Sequence, residues 1–171
     1  MRRLAISACV AAGLTEASTK TVCRIAEHDE DGSVRAMAVE ALGGAASHCL
    51  SVLERARADD DPRVVEAVAT AYGELGEGSA VPWLIDVASS DADRASREAA
   101  VAALGAIGDE SAVPVLLNLV AKAPPQVRRR AVVALTVFDD PASEPAISAA
   151  ARDRNPSVRE AAEMVVGRQP D

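Results

Sequence analysis

Aromatic side chains are almost missing from this sequence: one Phe, one Tyr and one Trp make up 2% of its 171 residues. A core without them must be assembled from Ala, Val and Leu, which suits closely packed helices. Hydrophobic residues, at 49%, are numerous enough to build one. Cysteine is scarce as well. Cys9, Cys23 and Cys49 are an odd count with no CxxC spacing, which argues against a disulfide framework and fits a reducing compartment. With His28 and His48 they still give only the dipeptide "HC" at 48 and 49, too little for a four-ligand zinc site. The cysteines are therefore read as small buried hydrophobes, and no metal or cofactor is expected. Positive charge is in deficit, with 18 Lys and Arg against 26 Asp and Glu and a net charge of −8, so no nucleic-acid partner is expected. The one basic run, Arg128 to Arg130, fans out around a helix instead of forming a patch. Nothing approaches the long apolar run of a transmembrane helix, and no membrane contact is expected.

Catalytic signatures are missing too. "GELGEG" and "GAIGDE" carry no Lys-Ser/Thr, so they are not phosphate loops. Ser47 beside His48 lacks the strand-to-helix elbow that exposes a nucleophile. The acidic stretches "DEDGS" and "DDDP" lack the calcium-loop spacing with its distal Glu, and are read as helix caps. The opening "MRRLAISACVAAGLTEAS" imitates a signal peptide, but it is rich in Ala, Ser and Cys and fits the repeat frame below. It is read as a helix of a cytoplasmic protein.

What the sequence does contain is a period. "VVEAVATAYGELGEGSAVPWLI" from Val64 and "SREAAVAALGAIGDESAVPVLL" from Ser96 match offset by offset, and the frame extends to first segments at Leu4, Val34, Val64, Ser96, Val127 and Val158. Four residues on come Ala8, Ala38, Val68, Ala100, Ala131 and Ala162; eight on come Ala12, Leu42, Tyr72, Leu104, Leu135 and Val166. Spacings of four and eight mark one face of a helix. The glycines that follow, Gly13, Gly43, Gly73, Gly105 and Gly167, stand where a left-handed C-terminal residue is expected. A second apolar segment follows each, with Ser79 and Ser111 as expected N-caps and Pro82 and Pro114 in the first turn. Asp61-Pro62 and Asn155-Pro156 are read as caps of the next first helix.

Two helices per unit and no strand pattern predict an all-α fold, an α-solenoid superhelix of about five and a half helical hairpins. The expectation is a single domain over 1–171, with units starting near 3, 33, 62, 94, 125 and 156 and the last one a half repeat. "VRAMAVEALG", "REAAVAALGAIGDESAVPVLLNLV" and "VRRRAVVALTVFDDP" resemble short HEAT-like repeats of the phycobilisome (PBS) lyase type, a bacterial association, over essentially the whole chain. The resemblance implies that Arg35, Arg97, Arg128 and Arg159 pair with acids in or near the turns, with Asp109 and Asp140 as partners, and that this ladder is weakest at Val65. It also implies an alternative function, a bilin lyase or tetrapyrrole-binding subunit, and, further off, a HEAT-like DNA glycosylase.

The function expected from the residues is a non-catalytic protein–protein interaction scaffold that binds a protein partner on a concave face of second helices. In register there stand Arg55, Trp83, Asp86, Asn118, Lys122 and Arg152. Trp83 is either an interface anchor or packing in the column of Val52, Val115 and Ala146. A repeat stack exposes apolar faces at its ends, so Ile6 and Val10 at one end and Met164 at the other are expected to be uncovered. Self-association or partner docking is expected there, with the C-terminal helix preferred.

Overall fold

The computed structural model describes residues 2–43, 49–90 and 93–167; Ser47, His48 and the last four residues lie outside the described residues. All regular structure among them is helical: α1 Arg2–Ala11, α2 Glu16–His28, α3 Gly32–Gly43, α4 Leu50–Ala56, α5 Pro62–Leu75, α6 Val81–Ser89, α7 Arg94–Ile107, α8 Val113–Lys122, α9 Pro125–Leu135, α10 Ser143–Ala150 and α11 Pro156–Val166. The chain divides into two compact units, residues 1–75 and 76–171. In the first, α3 packs against α1, α2 and α5, and α4 against α2 and α5. In the second, the odd-numbered helices α7, α9 and α11 stack in sequence, and α8 and α10 pack alongside them as a second layer. Each unit is a run of stacked helical hairpins, so the fold class is all-α and solenoid.

The small-residue column becomes a seam. Ala38 and Val68 in the first unit, and Ala100, Ala131 and Ala162 in the second, are each fully buried at 0% exposure. Leu42, Tyr72, Leu104 and Leu135 back it, also fully buried. The first copy departs from this frame. Leu4, Ala8 and Ala12 are exposed, and α1 instead turns Ile6 inward to 1% exposure. Ile6 is therefore not an uncovered terminal residue as expected, whereas Val10 is 52% exposed. An Ala-based face buries little area, so on α1 the branched Ile6, not the framed Leu4 and Ala8, takes the inner position. Arg2 fixes the register by an ion pair to Asp29 at 3.2 Å.

The glycines do a different task from the one expected. Gly73 and Gly105 lie inside α5 and α7, which run on to Leu75 and Ile107. The left-handed residues are Gly76 (φ 65°) and Gly108 (φ 72°), three positions later, with Gly13 (φ 77°) as expected. Gly105 instead permits close approach of helices: a Cβ there would stand 2.9 Å from the Ala134 Cβ on α9. The caps shift similarly. Glu77 and Asp109, not Ser79 and Ser111, hold the N-termini; they accept the Ser79 and Ser111 N–H groups at 3.2 and 2.9 Å and begin a one-turn 3₁₀ segment before α6 and α8. Pro82 and Pro114 do fall in the first turn. Asn155 caps α11 by accepting from Ser157 N at 3.0 Å, and Asp61 accepts from Arg63 N at 3.0 Å at the start of α5.

The arginine ladder exists, but with other partners. Arg35 donates to both carboxylate oxygens of Asp59 at 2.7 Å and to the Asp29 carbonyl at 2.7 Å. Arg128, 3% exposed, repeats the pattern on Asp153 at 2.9 and 2.7 Å and on the Ala123 carbonyl at 2.8 Å. Each guanidinium thus ties the loop before its own helix to the loop one hairpin on, a bidentate geometry that Arg alone provides. Asp109 and Asp140 are not the acids; they cap backbone N–H groups. Arg97 donates to the Ala88 carbonyl at 3.2 Å. The loop one hairpin on from it, "KAPP", offers no carboxylate.

The hydrogen bond from Arg35 holds the Asp59 carboxyl below its ordinary 3.8, and that from Arg128 does the same for Asp153. Carboxyls lowered on folding contribute stability above the unfolded value and lose it as pH falls through the folded one. Thermal melts should therefore hold steady above about pH 5 and weaken as pH falls below 3.8. Asp153→Asn should cost about 2 kcal/mol at pH 7 and flatten that acid limb, whereas Asp140→Asn should cost under about 1 kcal/mol. Equal losses at the two positions would deny the clamp its role.

Candidate functional site

The second unit carries most of the residues singled out for binding. Asp86 on α6, Asn118 and Lys122 on α8 and Arg152 just after α10 are all exposed, on consecutive second-layer helices. No hydrogen bond or ion pair joins these four among the described residues, so they form a row of separate polar groups and no preorganised pocket. Trp83 on α6 is half-buried, as are Val115 and Ala146 in its column.

Arg55 belongs to the first unit. It reaches Glu27 on α2 through Nε at 2.9 Å and through its Nη2, so its charge is partly matched. It also borders a groove of about 1160 Å³ lined by Val10, Lys20, Cys23, Arg24, Glu27 and Val52, among others. Val10 and Arg55, which the sequence assigns to different surfaces, thus share one. Cys23 and Cys49 meet here with their sulfurs 3.7 Å apart, a pairing that their spacing of 26 residues does not announce. Burial, then the hydrogen bond to Cys23, pushes the Cys49 thiol up to about 11.

A third feature lies at the C-terminal end of the second unit. A groove of about 740 Å³ is lined by Val133, Phe138, Ile147, Met164 and Val165, with Asp139, Asp140 and Glu144 at its rim. Met164 is 57% exposed there. The Ser143 Oγ, on a residue 4% exposed, has no hydrogen-bond partner in the protein among the described residues. Ala80 and Ala112 hold the corresponding place just before α6 and α8, both buried. An unpaired buried hydroxyl where those repeats carry Ala costs about 1–3 kcal/mol.

Stacked two-helix hairpins joined by a buried seam of small residues define a helical-repeat protein of the solenoid class. The sequence matches HEAT repeats over residues 49–134 and 113–171, and the chain belongs to the HEAT-repeat family. It is similar to a chain in the complex of CpcE and CpcF of phycocyanin lyase from Nostoc sp. PCC7120, at 25% identity and a TM-score of 0.74, covering 90% of this chain. It spans 64% of that chain's length. A designed armadillo repeat protein in complex with the peptide (KR)4 aligns at 17% identity and a TM-score of 0.67, covering 95% of this chain and 84% of that one. A second designed armadillo repeat protein aligns at 18% identity with the same TM-score and coverage. These two share the fold alone. No curated protein matches the chain. No helix among the described residues is long and apolar enough to cross a membrane.

A thiol that ionises near pH 11 is a poor nucleophile at neutrality. Iodoacetamide at pH 7 should label Cys9 well before Cys49, as peptide mapping would read. Labelling of Cys49 should accelerate only in strongly alkaline, still-folded samples. Equal rates at pH 7 would contradict the burial of Cys49.

Proposed function

We propose that the chain is a non-catalytic protein-binding scaffold of the cytoplasm whose second-layer helices contact an extended, mixed-charge segment of a partner protein. The observation that carries this reading is the row Asp86, Asn118, Lys122 and Arg152, exposed and without a side-chain partner among the described residues, on or just after successive second-layer helices, with the half-buried Trp83 beside its start. Acid, amide and two bases in sequence favour a partner segment of complementary alternating charge, since such matching gives register and specificity more than raw affinity. Trp83 supplies the aromatic contact that interface hot spots favour.

A second reading, a subunit that handles a bilin within a lyase assembly, is favoured by the likeness to the phycocyanin lyase complex. Adding phycocyanobilin and recording its absorbance tests it: a shifted band supports that reading, and an unchanged spectrum removes it.

For the scaffold reading, cross-linking in cell extract followed by mass spectrometry identifies the partner and the lysines and acids that touch it. Asp86→Lys with Lys122→Glu should lower the recovered complex about tenfold, while Arg129→Glu, exposed on α9 in the other layer, should leave it unchanged. Recovery that ignores the α6 and α8 reversals, or that falls with Arg129→Glu alone, would show that the partner binds elsewhere.

A further inference from the structure

We propose that the groove between α9, α10 and α11 is a docking site for an amphipathic helix of another protein, one with an apolar stripe on one face and Lys or Arg along its flank. This site is independent of the second-layer row, and either can fail without the other.

The repeat itself shows what shape fits. Within the second unit, α8 packs on α9, and α10 packs alongside α8 and α9. Advanced by one hairpin, the same positions are the surfaces of α10 and α11 that line the groove, through Ile147 on α10 and Ala161, Met164 and Val165 on α11. The described chain places no helix on them. Helices that fill the equivalent places do so with apolar residues three and seven apart, as Val113, Leu116 and Val120 of α8 do. Surface hydrophobics agree: the large ones left exposed among the described residues of this unit are Val133, Val137, Met164 and Val166, all at this end.

Charge names the flank. Asp139, Asp140 and Glu144 line the groove, and no Lys or Arg does. Asp139 and Glu144 have no ion-pair partner among the described residues. A basic flank completes them, a helix-in-groove mode in which the stripe gives affinity and the charges give direction. A second copy of this chain is a poor occupant. Its net charge of −8 repels an acidic groove, and the arginines of its α1 are already paired with Asp29, Glu30 and Asp31.

The test uses a fluorescein-labelled helical peptide that copies the Val113, Leu116 and Val120 stripe with Lys on one flank, and a twin with Glu in place of each Lys. Anisotropy titrations of the full chain should show the Lys peptide binding at least about tenfold tighter than the Glu twin at low salt. Asp139→Lys with Glu144→Lys should invert that preference, and Met164→Ser should weaken the Lys peptide several-fold. All three positions leave the seam untouched, and circular dichroism melts confirm folding. The proposal falls if the two peptides bind alike, if the charge reversal leaves the preference unchanged, or if sedimentation shows the chain itself dimerising through Met164.

Discussion

Everything in this molecule follows from how closely its first-layer helices must approach. With one Phe, one Tyr and one Trp, few large rings are available to bridge gaps between elements, so most contact is made by short side chains at short range. Within the first unit Ala38 and Val68, and within the second Ala100, Ala131 and Ala162, all at 0% exposure, make that contact, and Gly105 against Ala134 is the tightest point of the second. Aliphatic residues behind it complete each layer. The one buried tyrosine, Tyr72, accepts a hydrogen bond from Arg57 Nε at 2.9 Å, and the guanidinium carbon stands 4.6 Å from the ring centre. This pairing satisfies its hydroxyl as well as its ring.

A seam of small residues carries little specificity of its own, because alanine faces can slide past one another. The arginine clamps supply the missing register. Arg35 and Arg128 each fasten two successive loops through a bidentate carboxylate and a backbone carbonyl, and a slip of one helical turn would strand a guanidinium in a dry site. Packing consumes the first layer, and chemistry is left for the second layer and the end. That division leaves Asp86, Asn118, Lys122, Arg152 and Met164 exposed.

The period itself was legible, because spacings of four and eight around Ala and Leu admit one interpretation, and helices do begin at Arg2, Gly32, Pro62, Arg94, Pro125 and Pro156. What failed were inferences from single residue types. Gly73 and Gly105 looked like helix stops, but glycine serves equally for close approach, and only the backbone angles at Gly76 and Gly108 separate the two uses. Ser79 and Ser111 looked like caps, yet Glu77 and Asp109 stand two residues earlier with longer reach. Ile6 was misplaced because the repeat frame was extended onto α1, whose inward residue stands out of register with the later copies. Asp59 and Asp153 were missed as clamp partners because the pairing spans 24 or 25 residues, a distance at which no pattern in one sequence points from arginine to acid. The polar groups of the second layer were legible as exposed positions, whereas the C-terminal groove needed Ser143, Ile147 and Met164 to be seen together.

The central claim is that close approach at the alanine seam sets the fold. The most direct measurement is urea unfolding of Ala131→Leu beside Ala149→Leu, the first at 0% exposure on α9 and the second exposed on α10. The seam substitution should lower stability by about 1–3 kcal/mol with an unchanged denaturant slope, and the exposed one by under about 0.5 kcal/mol. A seam that accepted leucine without loss would mean that the first-layer helices have room to spare, and the account would be wrong at its base.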